Sequence, residues 1–270
     1  MLRVSLLGTF GIALDANPIR LNFGPSGQRM AACLFAFSGR PHLRERLADM
    51  FWPEMNCDRS RAALNSALWR LRKILAAEPK SDGGRNLRTV GSHVVLEPAS
   101  WLDVDSHKID ALCHAPNGSV SAGGDVTFRR ELQAMIDRYR GPLLEDEEAQ
   151  IFTEERERIH ANFVKIAQTL IGAYVANCAY ESAINVCRRV HFLDPYRELI
   201  VRCLLVLLVL NEQRAEAVRL YESWKKSLRS DLGVEPMPRT AELILTIRSL
   251  SNVQQIDGLR NSVSAELSAA

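Results

Sequence analysis

Arginine, lysine, serine and asparagine cluster in the stretch Phe51 to Leu75, FWPEMNCDRSRAALNSALWRLRKIL. Side chains of these types neutralise phosphates and donate to base edges, which is the chemistry of nucleic-acid recognition. At 100° per residue, Leu64, Leu68, Leu71 and Leu75 fall within about 60° of one another, while Arg59, Ser66, Trp69, Arg70 and Lys73 gather opposite. An apolar stripe that anchors a helix, backed by a basic, aromatic-bearing face, is the layout of a recognition helix. An ordinary amphipathic surface helix carries the same stripe, so the neighbouring elements must decide between the two readings.

Bond-making chemistry finds little support. The sequence has no phosphate-cradling Gly-rich loop, no nucleophile elbow and no His pair at zinc spacing, so no catalytic residue, metal or cofactor is expected. The acidic run Glu145 to Glu148 reads as a solvated loop or helix start. Six cysteines (Cys33, Cys57, Cys113, Cys178, Cys187, Cys203) lie scattered without a close pair, the pattern of reduced, buried thiols. The most apolar run, Leu199 to Leu210, falls short of the roughly 20 residues a bilayer requires and contains Arg202. No signal-peptide pattern opens the chain, so the expectation is a cytoplasmic, nucleoid-associated protein without a membrane partner.

A chain of 270 residues predicts two domains. Charge divides along the same line. Residues 1 to 101 hold 14 Lys and Arg against 8 Asp and Glu, and the remainder holds 20 against 24. A basic module joined to a mildly acidic one points to a polyanion for the first and another task for the second.

The elements around the basic helix follow from pattern. Leu2, Val4 and Leu6 alternate with polar residues, then Ile12, Leu14, Ile19 and Leu21 flank Asp15-Ala16-Asn17-Pro18, which predicts a small antiparallel sheet. Helices are expected over Gln28 to Phe37 and Leu43 to Trp52, then the basic helix, with Asp58 or Ser60 as its N-cap. Ala76 to Arg85 reads as a loop. Leu87 to Val90 and His93 to Leu96 flank Gly91-Ser92, a two-residue hairpin signal. Sheet, three helices and hairpin are the order of a winged helix, with Arg88 and His93 on the wing.

A helix entry is expected after Asp103 or Asp105, and Ala115 to Asp125 reads as a flexible loop. Helical periodicity then runs over 128–139, 154–175, 179–191, 197–211, 214–228 and 238–250. One repeat is visible: AYESAINVCRRV (179 to 190) overlays QRAEAVRLYESW (213 to 224) at an offset of 34 residues, pairing Ala183 with Ala217 and Val190 with Trp224. The preceding helices overlay at the same offset. That is tetratricopeptide spacing.

With these residues in view, FWPEMNCDRSRAALNSALWRLRKIL and LRTVGSHVVLEPASWLDVDSHKIDAL resemble the winged helix of the SARP-type bacterial transcriptional activators, related to OmpR/PhoB-type domains through RLRKIL. The segments FTEERERIHANF, AYESAINVCRRVHFLDPYRE and YESWKKSLRSDLGVEPMPRTAELILTIR resemble the bacterial transcriptional activation domain (BTAD) of the same proteins. DLGVEPMPRTAEL is the most specific match, and the resemblance spans roughly residues 2 to 250. It implies a winged helix that binds promoter DNA and a tetratricopeptide-like domain that arranges dimers and contacts RNA polymerase. Carried onto matching positions, the reading face is Ala62, Ala63, Ser66, Ala67, Trp69, Arg70 and Lys73, with Arg72 toward the backbone. Where relatives often carry a basic pair at the start of the first helix, this chain has Gly27-Gln28 and only then Arg29.

The expectation is therefore a mainly α chain with a small β part: a winged helix over 1–98, a connecting segment over 99–127, a tetratricopeptide-like BTAD over 128–250 and a disordered tail over 251–270. DNA contacts are expected from Arg59, Arg61, Ala62, Ala63, Asn65, Ser66, Ala67, Trp69, Arg70, Arg72, Lys73, Arg88 and His93. The expected partners are double-stranded promoter DNA in direct repeats, RNA polymerase holoenzyme and a second protomer on DNA. A tetratricopeptide adaptor whose winged helix serves protein contacts is the alternative, and salt dependence of DNA binding separates the two.

Overall fold

Leu2 and Val4 are buried while Arg3 looks outward, which makes β1 (Leu2–Ser5) a half-buried strand. It pairs antiparallel with β2 (Gly11–Leu14), and β2 with the short β3 (Asn17–Pro18) across a turn where Asp15 and Ala16 both have positive φ. Such left-handed turn residues match the twist of the strands they join. The computed structural model describes residues 1–114, 126–251 and 253–269. The loop expected over Ala115 to Asp125 lies outside the described residues.

The other edge of β1 carries β7 (Leu102–Val104), which pairs in parallel and completes the order β3-β2-β1-β7. The first sheet is therefore mixed and not purely antiparallel as expected. Three residues with Asp103 at the centre show too little alternation to be read as a strand. The buried Asp105 then opens α4 (Asp105–Cys113), accepting hydrogen bonds from the amides of Leu6 at 2.9 Å, Leu7 at 3.2 Å and Ser106 at 2.9 Å. Burial raises its pKa, and these amides pull the other way.

Three helices follow the first hairpin: α1 (Pro25–Ala36), α2 (Arg44–Phe51) and α3 (Cys57–Ala76). Pro25 sits in the first turn of α1, where its missing N–H costs nothing. Asn56, not Asp58 or Ser60, caps α3: its Oδ1 accepts from Arg59 N at 3.0 Å, while Ser60 is buried and donates to Cys57 O. Residues Pro79–Gly84, expected as loop, hold a 3₁₀ turn. Strand β5 (Leu87–Val90) and strand β6 (His93–Leu96) form the expected hairpin, and β4 (His42–Leu43) adds to β6, giving the order β4-β6-β5.

The chain divides into two units, Met1–Ala111 with Arg138–His160, and Leu112–Asp137 with Ala161–Ala270. The first unit thus reaches past the boundary at 98 and recruits a later segment. Leu7 and Leu143 form a β-bridge, and Gly8 N donates to Pro142 O at 2.9 Å. Arg156 pins that segment with bonds to the carbonyls of Leu143, Leu144 and Glu147 at 2.7–2.8 Å. A recruited turn with no regular period of its own leaves no pattern in the sequence.

The remaining helices are α5 (Val126–Arg138), α6 (Thr153–Ala176), α7 (Tyr180–Leu193), α8 (Glu198–Leu210), α9 (Arg214–Leu232) and α10 (Pro238–Ser249). The 34-residue repeat is expressed in backbone geometry. Cys178 and Glu212, 34 apart, are both left-handed, at φ 54° and 61°. Their turns close with the same bonds: Ala179 N to Tyr174 O at 2.9 Å, and Gln213 N to Leu208 O at 2.7 Å. Ala183 and Ala217 are fully buried, and the Trp224 indole donates to Pro195 O at 2.8 Å. Helix α8 is buried nearly all round because α7, α9, α10 and α11 (Val253–Ala269) pack on it.

Helix α11 corrects the expectation of a disordered tail. Leu259 and Val263 are buried, and Glu266 pairs with Arg202 of α8 at 2.9 Å. Its small and polar composition hides an i, i+3, i+7 stripe of Ile256, Leu259 and Val263 that tertiary packing stabilises. All six cysteines are thiols, but Cys57 and Cys178 are exposed, against the expectation of burial. Among the described residues no helix is long and apolar enough to cross a membrane, and no cluster of three His, Cys, Asp or Glu could hold a metal.

Candidate nucleic-acid interface

Helix α3 is divided as its wheel predicts. Leu64, Leu68, Leu71 and Leu75 are buried, each contributing roughly 1.5–3 kcal/mol of burial that fixes the helix in its unit. Arg59, Arg61, Ala62, Asn65, Ser66, Trp69, Arg70 and Lys73 are exposed, and Ala63 and Arg72 are half-buried. Ala67 is the exception: it is 3% exposed, and its methyl faces Gly27. It belongs to the packed face and cannot meet a base. Its place beside the leucine stripe is the signal for this.

Three side chains tie the exposed face to its surroundings. Arg61 pairs with Glu45 of α2 at 2.7 Å, and Arg44 donates to the Asn65 amide oxygen, so α2 and α3 are cross-linked over their turn. Both pairs are exposed, and exposed pairs in water hold weakly, so a phosphate can displace Glu45 from Arg61. Arg70 Nη1 donates to Asn22 O at 2.9 Å, which aims the guanidinium and leaves its Nε and Nη2 edge for an acceptor. Lys73 Nζ lies 3.9 Å from the centre of the Trp69 ring.

On the wing, His93 is exposed, with Nδ1 3.3 Å from Ser92 Oγ, and Arg88 pairs with Glu97 at 2.9 Å. Arg72 has a different role from the one its position implies. Its Nε donates to Leu87 O at 3.2 Å and its Nη2 to Thr89 Oγ1 at 3.0 Å, both on the wing. Arg29, the cation at the start of α1, pairs with Glu147 at 2.8 Å.

A recess of about 300 Å³ opens beside the reading face, between the start of α1, the α2–α3 turn and α3. Phe23, Pro25, Trp52 and Met55 line it together with Ala63, Ser66 and Arg70. The first four were not among the expected site residues. They come from separate stretches that only the fold brings together, and no spacing in the sequence links them.

The fold and this helix-and-wing face define a winged-helix protein joined to an α-helical repeat domain. Residues 104–248 match the bacterial transcriptional activator domain, and the chain belongs to that family, which the SARP-type bacterial transcriptional activators share. It is similar to the regulatory protein AfsR of Streptomyces griseus, 24% identical over 81% of this chain and 22% of that protein. It is also similar to the transcriptional regulatory proteins EmbR and MoaR1 of Mycobacterium tuberculosis. Identity to EmbR is 25%, over 86% of this chain and 60% of EmbR. Identity to MoaR1 is 24%, over 88% of this chain and 75% of MoaR1. The chain thus spans about a fifth of AfsR and three fifths of EmbR. A solved structure of Mycobacterium tuberculosis EmbR in complex with a low-affinity phosphopeptide shares the fold, with a TM-score of 0.73 at 22% identity over 99% of this chain and 70% of that one.

Proposed function

We propose that the chain binds double-stranded promoter DNA through α3 and the wing, and activates transcription from the bound site. The observation that supports this reading most is the exposed face of α3, where Arg59, Ser66, Arg70 and Lys73 stand with Ala62 and Trp69 opposite buried leucines, and Arg61 and Asn65 are exposed on its flank. A face of this kind supplies phosphate neutralisation and a few donors to base edges. Ala62 and Ala63 leave room for thymine methyls, and Arg70 is placed to read a guanine. The first unit is the DNA-binding part in this reading. The helical second unit aligns a second protomer on direct repeats and meets RNA polymerase holoenzyme. The names of the relatives, all regulators, support the direction of the assignment.

Binding to a promoter fragment, followed by fluorescence anisotropy from low to high salt, tests the reading. Affinity should fall steeply with salt, because each neutralised phosphate adds about 0.9 to the log–log slope. A flat salt response, or no binding, would favour a protein-contact adaptor.

A further inference from the structure

The Nε and Nη2 hydrogens of an arginine lie on one edge of the guanidinium, the edge that grips a phosphate in bidentate fashion. In Arg72 that edge is committed to β5, at Leu87 O and Thr89 Oγ1. Strand β5 is the outer strand of the order β4-β6-β5. Val90 stands opposite His93 across a two-residue loop and Arg88 opposite Val95, and Glu97 N donates to Asn86 O at 2.8 Å, so by the alternation of an antiparallel pair Leu87 holds a position whose carbonyl points away from β6. Among the described residues no further strand covers that edge, and Arg72 satisfies the carbonyl there. The main chain of the same residue seats the connection into the wing. Gly84 has φ +77°, and a Cβ there would stand 2.7 Å from the Arg72 carbonyl oxygen. Side chain and main chain of one residue therefore both meet the polypeptide that leads into the wing.

We infer that Arg72 is a positioning residue that holds the wing at a set reach from α3, so that Arg88 and His93 meet DNA in register with Arg70 and Lys73. This rests on the DNA-binding reading above and names what sets its geometry. Arg72 is then not itself a phosphate contact, although its position in the helix implies one.

The test uses the full chain, DNA selected by the wild-type protein from a random-sequence library, and the variants Arg72→Gln, Arg72→Lys, Arg88→Ala and the Gln/Ala double. Both Arg72 variants should lose roughly tenfold in affinity, since lysine carries the charge but not the fork. In the Arg88→Ala background, Arg72→Gln should cost clearly less than tenfold, because His93 is then the one proposed wing contact left to misplace. Wild-type affinity in Arg72→Lys overturns the inference. So does additivity of Arg72→Gln and Arg88→Ala, with the salt slope falling by about 0.9 for each. Hydrogen exchange on the DNA-free protein gives a readout independent of the DNA reading. Arg72→Gln should speed exchange of the β5 amides while those of α1 keep wild-type rates, and unchanged β5 exchange overturns the latch. Failure of the wild-type protein to select any DNA refutes the DNA-binding reading and leaves the latch to this measurement. Should Arg72→Gln misfold, Thr89→Val removes one of the two bonds without touching α3, and should shift affinity and β5 exchange in the same direction.

Discussion

The Lys73 ammonium sits over the face of Trp69, 3.9 Å from the ring centre, on the solvent side of α3. Trp69 is 54% exposed, so it does not pack into the core of its unit. The two side chains, one helical turn apart, present a flat aromatic surface with a cation fixed on it. An exposed contact of this kind contributes about 0.5–1 kcal/mol to the fold, so Trp69→Ala should lower the melting temperature by a few degrees at most, and it should weaken DNA binding by removing the surface that fixes Lys73. Fluorescence gives a direct check. Trp52, Trp101 and Trp224 are buried, so iodide quenching reports on Trp69, and bound DNA should shield it. Quenching that is indifferent to DNA would remove Trp69 from the interface.

Arg70 is the better candidate for base reading, because its guanidinium is aimed before DNA arrives. The bond to Asn22 O restricts the side chain, so less rotamer freedom is lost on binding. Arg70→Ala should reduce affinity for a selected operator by at least about tenfold, within the roughly 1–3 kcal/mol of one base contact. Circular dichroism should be unchanged, since Arg70 is exposed and Asn22 O turns to water. Equal binding of both proteins in a gel-shift titration would rule out this role.

Residues that obey a local period were legible in the sequence. The leucine stripe of α3, the Gly91-Ser92 hairpin and the 34-residue repeat each rest on spacing over a few turns, and each has its counterpart in the structure. What was hidden depends on distant chain. Strand β7 becomes a strand because β1 offers it an edge, and α11 becomes a helix because α8 offers it an apolar face. Among the candidate site residues, exposure followed from the helical wheel, whereas partners did not. Nothing in RLRK distinguishes Arg70, bound to the loop before α1, from Arg72, bound to the wing.

Two histidines make stability depend on pH. Burial lowers the pKa of His42, with Arg40 adding to the effect and a bond to the Phe37 backbone opposing it. Burial likewise lowers that of His191, opposed by Asp194. A depressed pKa means that the unfolded chain binds the proton first. The stabilisation is therefore present above the unfolded value near 6.5 and is lost as pH falls through the lower folded values. Urea midpoints measured from pH 7.5 to 5 should decline, and His42→Phe with His191→Phe should flatten the decline. An equally steep decline in that double variant would assign the effect to other groups.

Glu266 closes the C-terminal end of the helical unit. Its carboxylate pairs with Arg202 at 2.9 Å and Arg239 at 3.1 Å, and both Arg202 and Glu266 are largely buried. Arg202 also donates to Thr240 Oγ1, and Thr240 donates to Glu198, so α8, α10 and α11 share one polar chain. Removing one partner of a buried pair leaves a desolvated charge, at a cost of about 3–5 kcal/mol. Because Arg202 keeps its bond to Thr240, Glu266→Ala should fall near the lower end of that range. Arg202→Met with Glu266→Leu should recover most of the loss, since an apolar pair of similar volume leaves no charge behind. Urea unfolding followed at 222 nm reads both variants. If Glu266→Ala unfolds at the wild-type midpoint, the Arg202–Glu266 pair contributes nothing net to the stability of this unit.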